Sequence, residues 1–245
     1  MQILKKKEMK KIQKLILLAL TVALILPACK KGENDPFLSF RSRKSRVAGE
    51  WTVDFKEEVR KTTKIEPSVN SSSTETTTIS GSTYTNTFVD ASGTDTDNGT
   101  VRTFTYTYEK DGGWSSVYEF TVITILGSGT FATTQTTVTK IECSGVWNFL
   151  GKIGDAKNKE NMSVSTTSKK TTTVTTTDNS FTGTDVTTET VTQSFAENEN
   201  VEIWKLTQLK NKELKAEIEL DMSSVKTSTS SGSETNKIVY TELLF

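Results

Sequence analysis

The chain has 245 residues with 30 basic and 30 acidic side chains, no histidine, two cysteines and three prolines. The lack of histidine excludes Ser-His-Asp and Cys-His catalysis, His-ligated zinc or haem, and an imidazole pH switch. Two cysteines make neither a disulfide framework nor a four-thiolate metal site, while 44 threonines and 25 serines put a hydroxyl on more than a quarter of the residues.

The first segment reads as an address. Lys5, Lys6, Lys7, Lys10, Lys11 and Lys14 precede an apolar run from Leu15 to Leu26 that only Thr21 interrupts, and Leu26-Pro27-Ala28-Cys29 follows. A cationic start, an apolar stretch and a small residue before a cut predict a secretory signal over residues 1–28. The run is too short to cross about 30 Å of hydrocarbon comfortably as a helix, so an uncleaved anchor is the lesser alternative. Met9-Lys10-Lys11 is the more usual start for such a segment, which marks Met1 to Glu8 as an extension. The Leu-x-Ala-Cys ending resembles the lipobox of bacterial lipoproteins. The resemblance implies a lipidated Cys29 as the new N-terminus, a membrane partner through that lipid, and a place in the cell envelope. Lys30 lends no support to inner-membrane retention, so the outer membrane is expected, on its periplasmic or surface face. Removing residues 1–28 takes away six lysines and one glutamate and leaves a net charge of −5, which argues against nucleic-acid binding. Cys143 is then alone and reads as a small buried hydrophobe rather than a reactive thiol.

Residues 29–47 read as a tether and a short helix. Asp35-Pro36 is a helix-start signal, Phe37, Leu38 and Phe40 give an apolar side, and Arg41, Arg43, Lys44 and Arg46 make a basic end that suits a helix C-terminus. That end is expected either to be solvated or to rest on anionic headgroups.

From Gly49 onward the period is two, the sign of half-buried strands. Arg102, Phe104, Tyr106 and Tyr108 fall on one face and Val101, Thr103, Thr105, Thr107 and Glu109 on the other. The turn signal Lys110-Asp111-Gly112-Gly113 then leads into a partner carrying Tyr118, Phe120 and Val122 on one face. Leu214, Ala216, Ile218, Leu220 and Met222 alternate with charged neighbours. The predicted strands are 49–58, 73–80, 82–89, 100–109, 114–124, 129–139, 144–151, 160–176, 183–195, 200–209, 212–222 and 235–245, with 90–100 as a loop. Short connections and strand-after-strand order predict one all-β domain over 48–245, an antiparallel up-and-down β-barrel preceded by a short helix. The threonine-rich stretch 165–190 fits exposed ribbon faces or, with so few apolar residues, a disordered stalk.

Gly49-Glu50-Trp51 lies where the helix ends and the first strand begins, and Gly145-Val146-Trp147 repeats the pattern. Lys157-Asn158-Lys159-Glu160 and Lys210-Asn211-Lys212-Glu213 read as hairpin turns. With the lipobox, these features resemble the lipocalin-like lipoproteins of Gram-negative bacteria, over roughly residues 35–60 and 140–245. The resemblance implies that Gly49 and Trp51 close one end of a barrel beside a plugging helix, and that the barrel takes a small hydrophobic ligand.

Chemistry is sparse. The carboxylates mostly alternate outward or sit in loops, and Asp95, Asp97 and Asn98 lack the spacing of an EF-hand. No catalytic residue, metal or cofactor is expected, and the chain reads as a non-enzyme. Phe104, Tyr106, Tyr108, Tyr118, Phe120 and Trp204 are the candidate ligand wall, the bland alternative for each being a filled core. Two functions stay open: an anchored carrier of a small hydrophobic ligand, and a structural or protein- and polysaccharide-binding module of the envelope with a filled barrel. A hydrolase would require two inward carboxylates in one cleft.

Overall fold

The structure is a computed structural model. It describes residues 42–65, 70–127, 132–151, 161–179, 182–196, 198–210, 213–218, 224–228 and 232–245; the predicted signal, Cys29, the Asp35-Pro36 helix start and Lys157–Glu160 lie outside them. Among the described residues one short helix, α1 (Arg43–Val47), precedes thirteen strands: β1 (Gly49–Thr52), β2 (Phe55–Ile65), β3 (Asn70–Ser80), β4 (Thr83–Asp90), β5 (Gly93–Tyr108), β6 (Gly113–Leu126), β7 (Thr133–Phe149), β8 (Asn161–Asn179), β9 (Gly183–Ser194), β10 (Val201–Leu209), β11 (Leu214–Ile218), β12 (Ser224–Ser228) and β13 (Gly232–Leu244). All are antiparallel, in the order β1-β5-β4-β3-β2-β13-β11-β10-β8-β7-β6, and a further β5–β6 pairing returns the ladder to its start. The fold is therefore the predicted all-β, up-and-down curled sheet with a short helix at its N-terminal side, and it makes a half-barrel.

It is only half a barrel because the wall closes at the helix end alone. There β10 takes the free edge of β8 over Asn161–Ser165, and β11 pairs with β13 over Thr241–Leu244. Towards the far end β9 replaces β10 along β8, and β12 takes the edge of β13. Among the described residues no ladder joins β9 to β12. Likewise Gly93–Asn98 of β5 pair with β4 only, and Ile123–Leu126 of β6 with β7 only. Two leaves result, one ending on β12 and the other on β9. The inward side chains explain the difference. At the helix end they are Trp51, Tyr108, Trp114, Trp147, Met162, Val164, Trp204, Leu206, Leu214, Ala216 and Ile218, all buried. Farther from the helix end they become Thr77, Asn86, Gln135, Thr137, Thr171 and Thr173, at most half-buried. Apolar burial at about 25 cal/mol per Å² draws the wall shut only where there is apolar surface to bury.

Several boundaries differ from expectation. The expected loop at 90–100 is the first half of β5, paired residue by residue with β4, where Thr85 donates to Asn98 at 3.4 Å. Backbone pairing overrode a polar, glycine-bearing composition there. The two strands expected at 129–139 and 144–151 are one, β7, with a bulge against β8 between Ser144 and Gly145. Residues 165–179 and 183–190 belong to the β8–β9 ribbon, with every side chain of β9 exposed. β12 was not expected at all: Ser224–Ser228 has too few apolar residues to show a period.

The basic end of α1 is not solvated. Ser42 caps the helix, accepting from the Ser45 amide at 3.1 Å. Arg43, only 2% exposed, donates to the Leu206 carbonyl at 3.3 Å and lies 5.9 Å over the Phe149 ring. Arg46 donates to the Leu209 carbonyl at 2.6 Å. These carbonyls flank the Leu206–Gln208 register shift in β10, where the ladder to β11 is interrupted. Arg43→Ala is expected to cost about 1.5–3 kcal/mol, the worth of a charge-assisted hydrogen bond plus lost packing. Arg43→Lys should recover only part of it, because an ammonium cannot both reach the carbonyl and stack. Urea titration followed by circular dichroism measures both.

Candidate functional site: the interior of the half-barrel

Facing residues on neighbouring strands lie on the same side of the sheet, and three rows cross the inner wall. Nearest the closed end, Tyr108 faces Trp114, Trp114 faces Gly145, and Gly145 faces Thr166. Above it run Tyr106, Ser116, Cys143 and Lys169, and above those Phe104, Tyr118, Ile141 and Thr171. On the adjoining wall Glu202 and Trp204 of β10 face Val164 and Met162 of β8, and Lys56, Glu58 and Arg60 run up β2, two residues apart.

The first Gly-x-Trp lies at the closed end. Gly49 has φ +149°, a conformation that favours glycine. It lets the chain turn from α1 into β1, which carries Trp51 opposite Tyr106. The Trp51 indole N–H donates to the Val47 carbonyl at 2.7 Å, fastening the floor to the last residue of the helix, and its ring meets Phe245 edge-on at 6.4 Å. The second copy does different work. Trp147 lies within continuous β7 and donates to the Glu109 carbonyl at 3.0 Å, which pins the β5–β6 turn.

All six expected wall residues point inward and form one web of ring contacts. Phe104 lies 4.5 Å from Tyr118, Tyr118 lies 4.9 Å from Phe120, and Tyr106 lies 5.3 Å from Trp204 and 5.5 Å from Phe104. They do not share one role. Phe104, Tyr108 and Trp204 are 5%, 2% and 1% exposed and belong to the filled core. Tyr106 and Tyr118 pack on that core, Phe120 stacks on Tyr118, and all three keep accessible surface. Those three line the interior above the core.

The polar groups at this level were missed. The expectation that carboxylates face outward fails at Glu58 and Glu202. Alternation alone would have put Glu202 on the face of Trp204, two residues on, and the outward Ile203 and Lys205 concealed it. Glu202 accepts from the Trp204 indole at 2.9 Å. Burial pushes its carboxyl above the usual carboxylate range, and that bond together with the charges of Lys56 and Lys169 recovers only part of the loss. Burial would raise Glu58 too, but the Lys56 ammonium at 2.7 Å and Arg60 at 3.1 Å outweigh it and hold the carboxyl below its ordinary value. Burial raises the Cys143 thiol above its ordinary value. Burial likewise raises the phenols of Tyr106, Tyr108 and Tyr118, and the hydroxyls of Tyr108 and Tyr118 have no hydrogen-bond partner among the described residues. The level thus combines an aromatic wall with two carboxylates, two lysines, a thiol and unpaired phenols.

The two carboxylates work in opposite directions on stability. Because the folded-state value of Glu202 lies above its unfolded value, the folded chain binds the proton more tightly, and the residue costs stability as pH rises past the unfolded value. Glu58, with a lowered folded value, contributes stability above the unfolded value that is lost as pH falls through the folded one. Glu202→Gln keeps an acceptor for Trp204 and is expected to raise stability at pH 7 but not at pH 4. Glu58→Gln should lower stability at pH 7. Urea midpoints at the two pH values separate these outcomes.

Among the described residues no group of three or more histidine, cysteine, aspartate or glutamate side chains could hold a metal ion. Comparison of the chain with protein families, curated proteins and solved structures finds no match. The half-barrel is compatible with a lipocalin-like fold, and with either a ligand-binding or a structural module.

Proposed function

We propose that the chain is an envelope lipoprotein, anchored through a lipidated Cys29, whose half-barrel takes a small amphipathic ligand from its open end. The observation that carries this reading is the layered interior. A sealed aromatic floor underlies a ring of partly accessible aromatic side chains, and buried hydrogen-bonding groups without partners sit among them. Small-molecule sites combine these elements: apolar walls with a few polar groups that fix orientation. The apolar part of the ligand would lie on Tyr106, Tyr118 and Phe120, and its polar end would meet Glu202 and Lys169. Binding rather than catalysis is the role proposed: the chain has no histidine, and Glu58 is held between Lys56 and Arg60.

Native mass spectrometry of the processed lipoprotein, extracted in mild detergent and never refolded, tests the reading. A retained mass of a few hundred daltons, lost on denaturation and absent from a Tyr106→Ala variant, is the expected result. A bare mass even after incubation with membrane extract would overturn it. Anchoring is tested separately. Cys29→Ser should move the protein out of the membrane fraction, and unchanged fractionation would sink the anchor. The second reading, an interaction module, is favoured by the outer face of the β6–β9 leaf. There Ile123, Ile125 and Val186 are exposed among threonines.

A further inference from the structure

We infer that the outer edge of β9 pairs with the β9 edge of a second copy of this chain, antiparallel and centred on Thr188, so that two half-barrels share one continuous sheet. The inference stands apart from ligand binding, since β9 lies outside the closed end.

The first observation is a long, regular edge whose protection is thin, two carboxylates and nothing else. Edge strands are usually kept from pairing by charged side chains, lysine above all, and by proline, bulges or short length. β9 runs from Gly183 to Ser194, pairs with β8 in unbroken register, and contains no lysine, arginine or proline. Its side chains are exposed throughout, Val186 at 58% and Val191 at 45%. Among the described residues its only ladder partner is β8. One row of main-chain donors and acceptors is thus offered along the opposite edge, which is the requirement for strand addition.

The second observation is the charge pattern, which leaves a second copy a nearly full-length register free of directly opposed like charges. Two copies related by a twofold axis normal to the sheet bring one residue against its own equivalent. Residues symmetric about that point then face each other on one side of the sheet. The only charges on β9 are Asp185 and Glu189. Centring on Glu189 sets Glu189 against Glu189, and centring on Thr187 sets Asp185 against Glu189 twice; like charges directly opposite repel. Centring on Thr188 avoids both. Asp185 then faces Val191, Glu189 faces Thr187, Val186 faces Thr190, and Thr184 faces Thr192. Gly183 to Gln193 stay paired, so this register also keeps nearly the whole strand. One face of the joint carries only Thr, Val and their equivalents, the β-branched pairs that sheets favour.

Cysteine cross-linking of the full chain in the membrane fraction tests this, with the unaltered chain and its half-buried Cys143 as background. Thr188→Cys is expected to give a disulfide dimer on mild oxidation. Thr184→Cys and Thr192→Cys are each expected to stay monomeric alone and to cross-link when co-expressed. Thr188→Lys places two ammonium groups face to face and should halve the mass measured by light scattering in detergent, with an unchanged circular dichroism spectrum. A folded T188C chain that gives no dimer overturns the inference, as does a T184C chain that cross-links alone just as strongly. A T188C dimer without the mixed Thr184–Thr192 product overturns the register and with it the charge argument.

Discussion

Replacing Trp147 by alanine is expected to destabilise the half-barrel by about 3–5 kcal/mol, enough to unfold most of a marginally stable domain. The residue is 1% exposed and among the largest fully buried side chains. Its ring meets Tyr108 at 5.6 Å and Phe149 at 5.7 Å, both edge-on, and the Lys44 ammonium lies 5.6 Å over its other side. Truncation opens a cavity between β5, β7 and the helix. It also frees the Glu109 carbonyl, so the β5–β6 turn loses its pin. Trp147→Phe keeps most of the volume but not the donor, and should cost about 1–2 kcal/mol, mainly the hydrogen bond. Urea unfolding followed by far-ultraviolet circular dichroism distinguishes the two, because the dichroism does not depend on the removed fluorophore. Equal losses for the two substitutions would mean that the hydrogen bond, not the packing, holds the floor.

The second large effect is expected two residues earlier. Gly145 faces Trp114 and Thr166 where β7 and β8 bulge against each other. A Cβ there would collide with the Ser165 carbonyl oxygen, come within 2.9 Å of the Ser165 carbonyl carbon, and lie 2.8 Å from the Trp114 indole nitrogen. The first two are backbone atoms and cannot swing aside. The indole is itself fixed, because it donates to the same Ser165 carbonyl at 3.0 Å. Gly145→Ala must therefore push β8 away from β7 and break that bond, at about 2–4 kcal/mol, with Gly145→Val at the upper end. The glycine of this second Gly-x-Trp is needed for close approach, whereas Gly49 is needed for its backbone angle. At Gly49 a Cβ would meet nothing within 4 Å. Gly49→Ala should thus cost only the strain of a positive φ, about 1–2 kcal/mol. A larger loss at Gly49 than at Gly145 would contradict both explanations.

Much of the fold was legible because alternation reports the side of a sheet directly. Phe104, Tyr106 and Tyr108 share a face whatever the strand pairs with, and so do Leu214, Ala216 and Ile218. Gly112-Gly113 and the Lys210–Glu213 segment read as turns for local reasons, and there the Glu109 and Lys210 amides close the hairpins at 2.8 Å each. The failures share a cause as well. The start of β5 is polar and β12 has Val225 as its one apolar residue, and their strand state comes from a neighbour's free edge rather than from their own composition. The merger of two predicted strands into β7 depended on β8 running alongside it for its full length.

The candidate site was half legible. The aromatic members stand out because large apolar side chains alternate with threonine. Glu58 and Glu202 do not, since a carboxylate on a strand reads as solvent-facing unless its partners are known. Those partners, Lys56 and Arg60 on the same strand and Trp204 two residues on, are local. What brings them to one place, the closure of β10, β11 and β13 onto β2, joins residues far apart in the chain.

By itself the sequence determined the class of structure: an all-β, threonine-rich antiparallel sheet with one aromatic face, a helix-to-strand corner at Gly49, and no histidine chemistry. These follow from periodicity, backbone conformational preference and the side-chain inventory, which are local or compositional properties. Only the tertiary structure decided that the barrel closes at one end, which three of the six aromatic residues line it, that two carboxylates lie inside, and that β9 is left with an open edge. Each of those depends on which strand edges meet, and edge pairing is settled by the summed burial and register of the whole sheet, not by any one segment.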